Sequence, residues 1–413
     1  MARKKRTYDV VVWGATGFTG RLVAEHLFQT YGVGKKLKWA MAGRNEQKLR
    51  AARASIGDET GNIPFIIADG NSVDDMKHLA ELTKVVATTV GPYVLYGGEL
   101  VAACARAGTH YCDLAGEVPW MRRMIDAHSV TAERSGARIV HCCGFDSIPS
   151  DLGVWMMQQA SEETFGQSLQ KIHFYLAGTS GRLSGGTAAS MMEIVSEAQK
   201  NLRTAKLLAD PYALNPKDAR SGDDQNEQFI PHRDEMLGQW VAPFVMASVN
   251  TRVVRRTNAL LDYPYGKDFR YQEWTLCGDG AAGMAKSVAI TAATGAFVAG
   301  AAIPPSRFVM RKLLLPKPGS GPDAEQRANG YFTIRFAGMT RDGDMLTGTL
   351  KGERDPGYGC TSRMLGEAAV CLSKTKSTAG KGGFSTPMAA MSDTLPNRLM
   401  KHAGLQFSVD ESA

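Results

Sequence analysis

The strongest constraint on this fold is an alternation that runs over residues 8–160. Six short runs are rich in β-branched or apolar residues: "YDVVVW", "LKWAMA", "IPFIIA", "KVVATTV", "THYCDL" and "ARIVHC". Between them lie "FTGRLVAEHLFQ", "EQKLRAARA", "VDDMKHLAEL", "GGELVAACARAG" and "WMRRMIDAHSVTAERSG", where apolar residues recur at helical spacing. Strands joined through helices run parallel, because each crossover returns the chain to the same end of the sheet. A parallel sheet is covered on both faces, so its strands read as unbroken apolar runs. The expected fold class is α/β, a Rossmann-like doubly wound parallel sheet.

Beyond residue 160 the period changes to two. "KIHFYLAG", "FRYQEWTL" and "YFTIRFAG" alternate as half-buried strands do, and "TRDGD" supplies an Asp-Gly turn before "MLTGTLKG". A helix is expected over residues 187–208. The run "RVVRR" reads as a strand with Arg252 and Arg256 on one face and Arg255 on the other. That strand would present a solvated face or a phosphate site. A second α+β domain on a mostly antiparallel sheet is therefore expected over 161–354, after a first domain over 1–160. "LPKPGSGPDAEQRANG" reads as a loop. "CTSRMLGEAAVCLSK" resumes helical spacing within a C-terminal segment, 355–413, that should return to the first domain. Two domains suit 413 residues.

Composition narrows the function classes. Net charge is +7, but the cations are dispersed apart from "ARKKR" and "RVVRR", so no nucleic-acid surface is expected. The seven cysteines are odd in number, lack a Cys-x-x-Cys pair and sit in apolar runs; reduced thiols fit better than disulfides or zinc. The eight histidines show no ligand spacing, and no metal is expected. No apolar run follows the basic start, so a secretory signal is not expected and a cytoplasmic location is. One segment stands apart: "SVAITAATGAFVAGAAI", residues 287–303, is 17 residues without a charge. It is short for a spanning helix and diluted by Gly, Ala and Thr. Buried core, the lining of a lipid tunnel and contact with a membrane surface all remain open for it.

The joint between the first strand and the first helix reads "GATGFTG", with Gly14, Gly17 and Gly20 spaced three apart. Glycines there let a diphosphate approach backbone N–H groups at a helix N-terminus, where the dipole is positive. The spacing is weak alone, but its place between the first strand and a helix makes it a dinucleotide site. Its contact residues would be Gly14, Ala15, Thr16, Gly17, Phe18, Thr19 and Gly20. NAD sites carry an acid at the end of the second strand, whereas this chain has Gly43 and Arg44 in "AGRN". A guanidinium suits a 2′-phosphate, so NADP is the expected cofactor. Asp69, after the third strand, would meet the adenine side or else cap a helix. After the fourth strand, "VGPY" would bring Val90, Gly91, Pro92 and Tyr93 to the nicotinamide ribose, with Tyr93 and Tyr96 facing the reactive end.

These stretches, together with "TTVGPYVLYGGELVAACARAGTHYCDLAGE", "HCCGFDSIPSDLG", "NTRVVRRTNAL" and "DPGYGCTSRMLGEAA", resemble the saccharopine dehydrogenase-like oxidoreductases, and most closely the bacterial trans-acting enoyl reductases. The likeness covers nearly the whole chain, and "CGFDSIPSD" and "DPGYG" are its most specific parts. It implies NADP-dependent reduction of a double bond in a lipid-like acyl substrate, free or carrier-bound, during assembly of complex or polyketide lipids. Such a reaction needs a proton donor opposite the hydride. Tyr96 and Asp146 are the leading candidates, with Asp113, Glu117 and Ser147 behind them. Asp146, Ser147 and Asp151 could equally cap the helix near Pro149. In "SGRLSGGTAASMMEIV", Ser184 or Thr187 could open a helix whose N–H groups hold a carboxylate or thioester oxygen. The Tyr-x-x-x-Lys spacing of short-chain dehydrogenases occurs at Tyr31–Lys35 and Tyr263–Lys267, both away from the expected nicotinamide site. Two rivals stay open: a saccharopine-type amino-acid dehydrogenase, and a non-catalytic protein of a membrane or lipid surface. Peripheral membrane contact and a homodimer are further expectations.

Overall fold

The structure is a computed structural model that describes residues 6–180, 185–224, 227–314, 321–375 and 382–410. Its described residues form two compact units. The first is drawn from 1–145, 317–323 and 358–403, and the second from 146–316, 324–357 and 404–413.

The first unit contains strands β1 (Tyr8–Trp13), β2 (Trp39–Gly43), β3 (Phe65–Ile67), β4 (Thr83–Thr88), β5 (His110–Cys112) and β6 (Arg138–Val140). With the short strand Gly383–Ser385 they make a seven-stranded sheet in the order Gly383–Ser385, β6, β5, β4, β1, β2, β3. Every pairing in it is parallel. Val10, Val11 and Val12 are wholly buried at its centre, as a strand covered on both faces requires. The order reverses between β1 and β4. In doubly wound sheets that reversal opens a ligand crevice at the strands' carboxyl ends.

Sequence periodicity did not reveal the seventh strand, which is only three residues long. The C-terminal helix Thr361–Lys374 lies in this unit and packs on helix Phe18–Tyr31 through one buried acid. Glu367 receives His26 Nε2 at 2.8 Å, the Tyr31 hydroxyl at 2.7 Å and Arg398 Nη2 at 2.8 Å. Burial pushes the Glu367 pKa up, but bonds from His26 and Tyr31 and the charge of Arg398 outweigh it and hold it below the ordinary value. Tyr31 is thus committed to packing, which removes one of the two Tyr-x-x-x-Lys spacings from catalysis.

The second unit contains β7 (Leu169–Thr179), β8 (His232–Arg233), β9 (Trp240–Pro243), β10 (Arg270–Gly278), β11 (Phe332–Thr340) and β12 (Met345–Gly352). The sheet order is Leu405–Val409, β12, β11, β7, β10, β9, β8. All neighbours are antiparallel except β7 and β10. Helix Ile148–Phe165 lies against it, with Gly153 so close to the Phe336 ring that any side chain there would collide.

Three expectations for this unit change. The "RVVRR" run is not a strand: it belongs to helix Ala247–Leu260, and Arg252, Arg255 and Arg256 are all buried. Arg252 donates to the carbonyls of Leu208 (2.6 Å) and Asp210 (3.0 Å), Arg255 to Asp224 (2.7 Å) and the Pro211 carbonyl (3.0 Å), and Arg256 to the Leu214 carbonyl. Leu208 ends a helix and Asp210, Pro211 and Leu214 follow it in an irregular segment, and the guanidinium forks bond their carbonyls. The cluster is therefore neither a solvated face nor a phosphate site.

The helix expected over 187–208 is two, Gly185–Lys200 and Leu202–Leu208, divided at Asn201, whose side chain caps the second by accepting from the Arg203 amide at 2.9 Å. Ser184 lies outside the described residues, and Thr187 sits inside the first of these helices. Finally, the apolar segment up to residue 302 falls within helix Gly280–Ala302, and buried core is excluded: of that helix only Gly283, Ser287 and Ala301 are buried.

Candidate functional site: a dinucleotide cradle and the loops around it

Gly14 leaves β1 with φ +85, in the left-handed region that favours glycine, and a Cβ there would lie 2.6 Å from Val90 Cγ2. A Cβ on Gly20 would run into the Gly14 carbonyl. Both glycines are therefore demanded by close approach. Gly17 differs: it occupies the cap position of helix Phe18–Tyr31 with ordinary extended φ (−76), and no side chain caps that end. Its contribution is the missing side chain over uncapped amides, which is the surface a diphosphate needs. Ala15 is buried beneath the turn, Thr16 is exposed, and Phe18 is fixed edge-on to Tyr358 at 5.0 Å.

Arg44 follows β2, exposed and without an ion pair among the described residues. The next residue, Asn45, caps helix Glu46–Ser55 by accepting from the Lys48 amide at 2.9 Å. Asp69 is exposed and accepts from the Asn71 amide at 3.1 Å, while Ser72 caps the following helix. The capping alternative for Asp69 thus passes to Ser72. The residues fit NADP: a cradle that side chains would fill, an uncapped helix end and an unpaired cation at the end of β2.

At the end of β4, Val90 and Pro92 are half-buried and Gly91 is exposed, with a cis bond between Gly91 and Pro92. Tyr93 does not face a ligand as expected. Its side chain turns inward at 5% exposure, donating to the Thr88 carbonyl (3.2 Å) and accepting from the Leu114 amide (3.1 Å). Burial, with Asp113 nearby, pushes its pKa well above the ordinary value, so its role is to tie the β4 and β5 loops together. Tyr96, at the end of the short helix Tyr93–Tyr96, stays 47% exposed.

Asp113 is fully buried after β5. One of its carboxylate oxygens accepts from Tyr111 (2.9 Å) and pairs with His141 Nδ1 (2.7 Å), while the other takes the amides of Ala115 (3.0 Å) and Cys142 (3.1 Å). With both oxygens engaged, Asp113 acts as a tie between neighbouring loops. It fixes the ends of β5 and β6 and holds Cys142 in the left-handed region, φ 63. Glu117, also buried, accepts from the Tyr93 amide at 3.1 Å. Sequence reasoning missed His141 and Trp120, whose rings meet edge-on at 5.1 Å behind Asp113. The signal was available, since "ARIVHC" ends a strand at the crevice.

The second unit begins at Asp146, which is half-buried. Ser147 sits at the cap position of helix Ile148–Phe165 but makes no cap bond; its hydroxyl donates to Asn250 Oδ1 at 2.9 Å. Asn250 donates in turn to Glu273 Oε2 at 2.9 Å, and Tyr271 donates to Oε1 at 2.7 Å. Asp151 accepts from Thr257 at 2.5 Å. Burial drives the Glu273 pKa up to about 7 despite bonds from Ser150, Tyr271 and Asn250. Glu273 was read only as part of a strand. Its place two residues from Tyr271, on the same strand face, was the hint.

Sheet order and glycine cradle place the first unit in the doubly wound class of dinucleotide-binding folds. The saccharopine dehydrogenase NADP-binding domain family matches residues 10–140. A trans-acting enoyl reductase of Mycobacterium ulcerans is 37% identical over 412 residues, covering 97% of each chain. One from Mycobacterium bovis is 36% identical over 414 residues with the same coverage. A Mycobacterium tuberculosis relative that carries the name provisionally is 39% identical over 409 residues, again 97% of each chain. Yeast saccharopine dehydrogenase (L-Glu forming) shares the fold alone: TM-score 0.51, 12% identity, covering 97% of this chain and 99% of its own. The chain belongs to the trans-acting enoyl reductase family of saccharopine dehydrogenase-like proteins, and it is an NADP-dependent oxidoreductase.

Proposed function

We propose that this enzyme reduces the carbon–carbon double bond of an unsaturated, lipid-like acyl thioester, free or carrier-bound, in complex-lipid or polyketide-lipid biosynthesis. The observation that carries the reading is full-length similarity to named enoyl reductases in a chain whose glycine cradle is intact. Gly14 to Gly20 would hold the diphosphate, Arg44 the 2′-phosphate and Asp69 the adenosine edge. The backbone of Val90, Gly91 and Pro92 would meet the nicotinamide ribose. Bound there, the coenzyme supplies the hydride for one alkene carbon. Tyr96, the exposed hydroxyl on the β4 loop, is the proposed proton donor to the other carbon, with Asp146 the second candidate. Tyr93, Asp113 and Glu117 keep that loop in place.

The saccharopine-type alternative loses support because a cationic cluster it could use for substrate carboxylates, Arg252, Arg255 and Arg256, is engaged by carbonyls and buried acids. We place the enzyme in the cytoplasm, in peripheral contact with a lipid bilayer. The test is oxidation of NADPH by 2-enoyl thioesters. Turnover with these, and none with lysine, glutamate and keto-acid mixtures, is expected; turnover with the amino-acid mixtures alone would overturn the reading.

A further inference from the structure

Helix Gly280–Ala302 turns an apolar side to the outside. An ordinary surface helix turns its polar residues to water and its apolar ones to the core. Here Gly283, Ser287 and Ala301 are buried, and Ile290, Thr291, Thr294 and Phe297 are half-buried against the rest of the unit. The three hydroxyls thus lie on the inward side, where each bonds its own helix: Ser287 to the Met284 carbonyl (2.8 Å), Thr291 to Ser287 (2.8 Å) and Thr294 to Ile290 (2.9 Å). The outward side carries Met284 at 46% exposure, Val288 at 50% and Val298 at 48%, among exposed alanines. Lys286 is its only charge.

The apolar surface continues past Ile303 into helix Pro304–Leu314, where Phe308 is 61% and Val309 50% exposed. Between Asp279 and Asp323 the chain has no acid but five cations, Lys286, Arg307, Arg311, Lys312 and Lys317. Arg307 is spent on the Ala301 carbonyl at 2.7 Å, whereas Lys286 and Lys312 are exposed, Lys312 resting on the Phe308 ring at 4.6 Å.

We infer that this face lies in the interfacial layer of an anionic bilayer, with helix Gly280–Ala302 parallel to the membrane plane. Its 23 residues make a rod of about 34 Å. The inward side is seated on its own unit, with Ala301 against Ala188 and Met192, and Phe297 and Met310 around them, so the helix is not released to span. A protein partner would need roughly one hydrogen bond per 100–200 Å². This face offers apolar side chains and the ammonium groups of Lys286 and Lys312, which suits an apolar boundary under anionic headgroups. The inference deepens the lipid reading above and rests on it for its biological sense, not for its test.

The test is flotation of the full-length protein with vesicles of phosphatidylcholine, with and without phosphatidylglycerol, each sample also titrated with NADPH. Flotation with anionic vesicles is expected. The variant Val288→Asp/Val298→Asp should reduce it at least about tenfold while NADPH binding persists. Lys286→Glu/Lys312→Glu, a surface change, should remove the preference for anionic vesicles. Equal flotation of wild type and both variants overturns the inference. So does a dimer, seen by light scattering without flotation, that the Asp variant splits. Protein that binds NADPH but does not float fails this inference alone; protein that floats but does not bind NADPH fails the reductase reading alone.

Discussion

Two helices of the second unit invert the usual relation between composition and place. Helix Ala247–Leu260 carries three arginines and is buried; helix Gly280–Ala302 carries one lysine and is exposed. The difference lies in what each helix meets. The arginines face orphan carbonyls and two acids, Asp224 and Glu227, which replace the water they lose. Among the described residues the outer side of the apolar helix stays exposed at Met284, Val288 and Val298. Burial follows available partners, and hydropathy alone misplaces both helices.

The sharpest way to break this comparison is to remove a partner. Arg255→Ala leaves Asp224 buried without its cation and should cost about 3–5 kcal/mol in chemical denaturation. A loss under about 1 kcal/mol would mean that water already serves these groups. Glu273 extends the contrast to a buried acid that has no ion pair among the described residues. Its folded pKa, about 7, lies above the ordinary 4.5, so its contribution to stability is full below pH 4.5 and is lost as pH rises through 7. The drop should be on the order of 3 kcal/mol. Glu273→Gln should flatten the stability profile across that window, and an unchanged slope would assign it to another group.

Arg44 is the counter-case, an exposed arginine without an ion pair among the described residues, which the proposed function assigns to the 2′-phosphate. Arg44→Ala should weaken NADPH binding about tenfold, with NADH affinity nearly unchanged, in fluorescence titrations. The smallest expected effect sits on the exposed helix. Val288→Asp should leave stability in solution within about 0.5 kcal/mol, because its side chain meets no core; a larger loss would show that the outer face is covered within the protein itself.

What was legible divides along the same line. The six parallel strands, the turn at Asp342 and Gly343 and the glycine joint depend on local period and backbone freedom, and all are present. Tyr93 was misread because sequence position locates its loop at the crevice but says nothing about which way the ring turns. The turn is decided by Thr88, Leu114 and Glu117, residues up to 24 positions away. "RVVRR" was misread because two arginines four apart fit a strand face and a helix turn equally well.

The sequence by itself determined six strands of the first sheet and the glycine joint, because these are carried by short-range order, period and glycine, while its longer motifs carried the resemblance to the family. Only the tertiary structure decided which charges are buried, which carboxyl titrates near neutrality and which apolar helix is left uncovered. Those properties are differences in solvation, and solvation is set by whatever the fold brings alongside.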